Sequence, residues 1–269
     1  MLIVKIGGSL FSDKRRSRSV DGVAMRAYAR ALAALWRAAP GRLAMVSGGG
    51  AFGHGAVRDL DPDDPLAALP LTEAVFALKW LWVRELTALG VPAVPLQPAA
   101  LLSRGSHGVE LDRTPVARLL AAGHLPVLSG DVLLDADGSL EIVGSDRVAA
   151  LLAASDRGGV RVALLTDVPG ILRDGPGGDV IAEVDPDDPG EAEAAIWATP
   201  DWDTSDSMGG KLAAALAVAR AGGECLIARG SPDLVVGLLP APRAEWPPAA
   251  RCTRVSAVAA APPATGSAG

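Results

Sequence analysis

Only two cysteines occur in 269 residues, Cys225 and Cys252. Their separation excludes a CxxC redox or zinc motif, and a chain of this length does not depend on a single disulfide, so both read as core thiols. Long apolar runs are missing as well. Although 49% of the residues are hydrophobic and mean hydropathy is +0.29, no run approaches the roughly 18 residues of a membrane span. The opening "MLIVKIGGSLF" carries one basic residue, Lys5, and no small-residue cleavage site after an apolar core, so a secretory leader is not expected. The expectation is a cytoplasmic protein with no membrane association. A cationic surplus is lacking too: 25 Lys and Arg stand against 31 Asp and Glu, for a net charge of −6 and a pI near 5.1, which argues against a nucleic-acid partner. The one basic run, "DKRRSR" at 13–18, reads as a solvated loop, with the alternative that it attracts an anionic substrate to the glycine turn beside it. Repeats of 20–50 residues are absent, as are GxxxxGK[ST] and a correctly spaced GxGxxG.

What the chain does contain is a βαβ rhythm. Short aliphatic runs occur at 2–6, 42–46, 92–96, 125–129, 160–166 and 223–228, and segments with apolar residues at helical spacing lie between them at 21–39, 71–90, 114–123, 145–155 and 209–222. This predicts an α/β fold, a three-layer αβα sandwich around a mainly parallel sheet. "VELD" and "DVLLDADGSLEIV", the latter with Asp137-Gly138 at its turn, predict short hairpins on one edge. The acidic, turn-rich stretch 173–206 reads as the lid or margin of a nucleotide site. A single domain over 1–256 is expected, with lobes dividing near residue 160, followed by a disordered tail at 257–269.

Chemistry concentrates at two glycine turns, "VKIGGSL" and "VSGGGAFGHG". Glycines at a strand end leave successive N–H groups bare, and such groups donate to phosphate oxygens without obstruction from Cβ. Either turn alone is simply a tight strand-to-helix connection; the two together favour a phosphate cradle. Lys5 lies just before the first turn, and Lys211 follows two more glycines at a helix start. Phosphoryl transfer is catalysed mainly by positioning and charge, so a cation on each side of the transferring group is what it requires. Asp146, in "VGSDRV", is a candidate carboxylate to hold both lysines, although it or Ser145 could serve only as a helix cap. "LLTDVPGIL", with Thr166, Asp167 and Gly170, is a plausible nucleotide wall.

In this order, "VKIGGSL", "SGGGAFGH", "GSD", "LTDVPGI" and "DTSDSMGGK" resemble the amino-acid kinase family over residues 1 to about 256. Within it the chain resembles the branch of isopentenyl phosphate kinases and fosfomycin-resistance kinases, and most of all the fosfomycin kinase of producing actinomycetes. The resemblance implies transfer of the γ-phosphoryl of ATP, with Mg2+ carried on the nucleotide's phosphates rather than by protein ligands, to an oxygen of a small phosphonate, giving an anhydride and ADP. It assigns Lys5 and Lys211 to the transferring group, Asp146 to ordering them, and Gly7, Gly8, Ser9, Thr166, Asp167, Gly170, Met208 and Gly209 to ATP. The acceptor would be held by Lys14, His54, Ser145, Ser205 and the amides of Gly49, Gly50 and Gly53. A phosphonate oxygen is already ionised near neutral pH, so the histidine's expected task is orientation and charge rather than base catalysis.

Two positions depart from the fosfomycin pattern: Gly144 stands in place of a second serine, and Ser205-Asp206 in place of Thr-Gly. The alternatives are isopentenyl phosphate as acceptor, with Phe76, Trp80 and Trp82 as wall candidates for its apolar chain, another small phosphonate or phosphate, and a non-catalytic nucleotide sensor. The resemblance and the tryptophan-rich helix also imply a homodimer.

Overall fold

The computed structural model describes residues 1–13, 16, 18–58, 64, 66, 68–106, 108–154, 159–196, 208–237 and 251–257. The chain runs β1 (Leu2–Ile6), α1 (Gly22–Ala38), β2 (Leu43–Ser47), α2 (Gly50–Arg58), α3 (Ala68–Ala88), β3 (Ala93–Pro95), β4 (Leu102–Gly105), β5 (Gly108–Leu111), α4 (Thr114–Ala121), β6 (Leu125–Ser129), β7 (Asp131–Leu134) and β8 (Leu140–Val143). It continues through α5 (Ser145–Ala153), β9 (Arg161–Thr166), β10 (Glu183–Val184), α6 (Gly190–Ala194), α7 (Met208–Arg220), β11 (Glu224–Arg229), α8 (Pro232–Gly237) and β12 (Cys252–Val255). Eight of these strands form one sheet in the order β10-β12-β11-β9-β1-β2-β6-β3, parallel throughout except where β11 meets β12. The central strands are buried on both faces, which is why they read as continuous aliphatic runs rather than alternating ones.

Strand alternation decides which residues meet. On β1, Ile3 joins the core beneath α5 and α7, whereas Val4 and Ile6 join the opposite core beneath α1 and α3. Lys5, two residues after Ile3, therefore points to the α5 and α7 side. Strand order reverses at β1, which has β2 on one side and β9 on the other. The carboxyl ends of strands at such a reversal are where open α/β sheets place their ligands.

Two expectations are corrected, the placement of the hairpins and Trp82 as a wall residue. The hairpins β4–β5 and β7–β8 are separate two-stranded sheets, and the edges of the large sheet are β3 and β10. The chain leaves the main sheet at Gly130, where a Cβ would come within 2.9 Å of the Ser145 amide nitrogen, so this exit requires glycine. The described part of 173–206, expected as the lid or margin of a nucleotide site, packs along the edge of the large sheet: β10 pairs with β12, and Ile181, Val184 and Ala192 are buried. Trp82 is wholly buried, whereas Phe76 and Trp80 are exposed and pack edge to face. Both cysteines are buried, and burial drives the Cys225 thiol far above its ordinary value. Residues 258–269 of the expected tail lie outside the described residues. Among the described residues no helix is long and apolar enough to cross a membrane.

Candidate active site

Three charged side chains converge beneath the sheet's carboxyl end. Lys5 from β1 lies 2.7 Å from Oδ1 of Asp146, and Lys211 from the first turn of α7 lies 3.3 Å from Oδ2. All three are buried. Burial alone would raise the Asp146 carboxyl, but the charges of Lys5 and Lys211 outweigh it and hold the group below the ordinary carboxylate range. The capping alternative is excluded for Asp146: the cap of α5 is Gly144, with no side-chain bond, and the carboxylate turns to the lysines. The result is a pair of ammonium groups, one from a strand and one from a helix start, fixed by one shared anion.

The two glycine turns touch each other. A Cβ on Gly8 would lie 2.4 Å from the Gly50 Cα, and one on Gly48 would lie 2.5 Å from the Gly8 amide. Gly7 abuts the Leu165 carbonyl at 2.7 Å from the same hypothetical atom. The bare backbone that the sequence offers for a ligand is thus first needed by the protein itself, because β1 and β2 are neighbours and their exits must pass within backbone contact. Ser12, which sequence reasoning missed, fastens the two exits: its hydroxyl donates to the Gly8 carbonyl and accepts from the Ala51 amide in the first turn of α2. Gly53 differs. A Cβ there would meet only Val75 Cγ1, at an ordinary 3.8 Å. Packing does not require that glycine, and it sits in α2 directly before His54, which is half-buried.

The profile of the amino acid kinase family matches residues 1–229. The chain belongs to the amino acid kinase family. It is 30% identical over 191 residues to the isopentenyl phosphate kinase of Haloferax volcanii, covering 68% of this chain and 75% of that protein. The Thermoplasma acidophilum isopentenyl phosphate kinase is 29% identical over 182 residues, 65% of this chain and 71% of the relative. In fold, the chain is similar to a solved T. acidophilum isopentenyl phosphate kinase in a product complex (TM-score 0.71, 21% identity, 95% of this chain and 99% of that one). It is also similar to the UMP kinase of Ureaplasma parvum (TM-score 0.63, 16% identity, 95% and 98%). The protein is an ATP-dependent kinase.

The remaining assigned residues of this kinase fall into three groups. Ser9 is exposed in a single 3-10 turn (Gly8–Leu10), Met208 and Gly209 open α7 ahead of Lys211, and Ser145 is the first residue of α5. Met208, Gly209 and Ser145 thus belong to the opening turns of the two helices that supply Lys211 and Asp146. Thr166 ends β9 and donates to the exposed Asp167, placing both at the same rim. Gly170 has a packing role, because a Cβ would lie 2.6 Å from Thr253 Oγ1, the atom that accepts from the Ile171 amide. Lys14 and Ser205 lie outside the described residues, as does Asp206. Of the basic run, Arg18 is held by Glu73 of α3 and lies 6.0 Å from the Phe52 ring, so it braces α2 and α3. Among the described residues no group of three His, Cys, Asp or Glu could hold a metal.

Proposed function

We propose that this kinase phosphorylates a small acceptor that already bears a phosphate, and that isopentenyl phosphate is that acceptor. The observation that carries the reading is the apolar cluster against α2: Leu71 and Val75 of α3 and Val132 of β7 pack with Ala56 and Val57, within one turn of His54. A charged group at the glycine turn and an apolar body beside this cluster describe an alkyl phosphate better than a compact polar phosphonate. The identities to isopentenyl phosphate kinases support the same choice over fosfomycin.

In this reading an acceptor phosphate oxygen attacks the γ-phosphorus of ATP, the bond to the bridging oxygen breaks, and ADP departs with that electron pair. Lys5 and Lys211 stabilise the charge spread over the transferring group, and Asp146 holds the two ammonium groups in place. His54 and the amides near Gly49, Gly50 and Gly53 orient the acceptor. The acceptor side is then the half up to about residue 160, and the nucleotide side the half from β9 onward. Exposed Phe76 and Trp80 give α3 an aromatic face for a second copy, making a homodimer.

ADP release with Mg-ATP, measured against isopentenyl phosphate, fosfomycin and a simple alkylphosphonate with phosphorus NMR of the products, tests the proposal. The expected result is the highest kcat/KM with isopentenyl phosphate and a diphosphate product. Preference for fosfomycin would return the acceptor to the phosphonate class, and turnover of none would refute the reading.

A further inference from the structure

Helix α3 reaches the sheet through two polar side chains one turn apart. Trp82 Nε1 donates to Ser47 Oγ at 2.9 Å, and Lys79 Nζ donates to Ser129 Oγ and to Gln97 Oε1, each at 2.9 Å. The two serines are register partners on β2 and β6, each the last residue of its strand, and each is followed by the glycine at which the chain leaves the sheet, Gly48 or Gly130. Gly48 leads into α2 and His54; Gly130 leads into β7 and the Val132 of the apolar cluster. Lys79, Trp82, Ser47 and Ser129 are fully buried.

Around Lys79 the network closes on itself. Asp131 Oδ1 accepts from Thr72 Oγ1 and the Val132 amide, and Oδ2 accepts from the Ala99 amide and from Gln97 Nε2. The Phe76 ring lies 5.7 Å from the ammonium, within cation-π range. Stability alone is a poor reason for this arrangement, because an aliphatic residue at 79 would avoid burying a charge. Burial lowers the Lys79 pKa to about 8 even though Asp131 pulls it upward. Directional bonds do what apolar packing cannot: they fix the helix at one height and rotation against two strand ends.

We propose that Lys79 and Trp82 are positioning residues for the acceptor, acting through Ser129 and Ser47 to fix the two chain exits that flank it. The inference rests on the acceptor reading above, and it separates the two substrates: the network touches β2, β6 and β7 but none of Lys5, Gly7, Thr166 or Lys211.

The test uses the full chain with Lys79→Met, Trp82→Phe and the milder Ser129→Ala. Steady-state kinetics should show the KM for isopentenyl phosphate rising about ten-fold while the KM for Mg-ATP stays within about two-fold, since misplacement of binding groups by an ångström has effects of this order or larger. Lys79→Met and Ser129→Ala together should cost less than the sum of their separate effects, because the second removes part of what the first acts through. Hydrogen exchange supplies a readout independent of turnover: faster exchange is expected at 48–58 and 131–143 and unchanged exchange at 161–172. Parallel rises in both KM values, no change in either, or exchange that speeds up uniformly or nowhere would overturn the inference. If the wild-type protein turned over no phosphorylated acceptor, the proposed function would fail, and the exchange pattern would still decide this inference. Should Lys79→Met not fold, Ser129→Ala carries the test.

Discussion

Replacing Asp146 by asparagine preserves the side chain's shape while removing the only charge between Lys5 and Lys211 known among the described residues. At 2.7 and 3.3 Å the gross attractions are about 6 and about 5 kcal/mol at an effective dielectric of about 20. The desolvation of the carboxylate and the mutual repulsion of the lysines cancel much of this. What remains is the loss expected when one member of a buried ion network is removed, about 3–5 kcal/mol. In a chain of this size that corresponds to a fall in Tm of about 10 °C, measurable by calorimetry or urea unfolding. The pH dependence has a definite sign. The folded Asp146 pKa lies below its unfolded value of 3.8, so its contribution is fully present above that value and is lost as pH falls through the folded one. The gap between wild type and variant should therefore be flat from about pH 5 to 8 and close only in strong acid. Mg-ATP should recover more Tm in the variant than in wild type, because nucleotide phosphates would resupply negative charge to the lysines, while kcat falls. A variant within about 1 kcal/mol of wild type at pH 7, below the range for a broken buried pair, would refute the reasoning.

The glycines separate packing from ligand approach. Gly8→Ala places Cβ against the Gly50 backbone and should destabilise by about 3 kcal/mol or more, an overpacking cost read by urea unfolding. Gly53→Ala should leave stability unchanged or raise it by up to about 1 kcal/mol through helix propensity, yet raise the acceptor KM. His54→Ala should lower kcat/KM for the acceptor by about a hundred-fold with the KM for ATP unmoved; equal effects on both substrates would remove His54 from the acceptor side. For Lys79 the folded pKa is about 8 against 10.5 unfolded, so the unfolded chain holds more protons between these values and stability should rise with pH across that window. The gain relative to Lys79→Met is at most about 3 kcal/mol, read by urea unfolding at pH 7 and pH 10.

The sheet was legible because its strands are short aliphatic runs buried on both faces: the expected strand at 125–129 is β6 to the residue, and that at 2–6 is β1. Lys5 stood out as a cation in such a run, and strand alternation alone sends it to the face opposite Val4 and Ile6. The role of Asp146 was not decided locally, since "GSDRV" suits a helix cap equally well. The choice came from Lys5 and Lys211, more than 60 residues away on either side, arriving at one carboxylate. Likewise "SGGGAFGH" reads as backbone bared for a ligand, but Gly8, Gly48 and Gly50 are demanded by contact between two strand exits. Lys79 was invisible for the same reason: a lysine in "FALKWLW" suggests a water-facing edge, and its partners Gln97 and Ser129 are 18 and 50 residues distant. Propensity and periodicity are properties of neighbours along the chain, so the sequence by itself determined the elements and the residue types available for phosphoryl transfer. Charge pairing and backbone contact are properties of neighbours in space, and only the tertiary structure decided which of those residues meet.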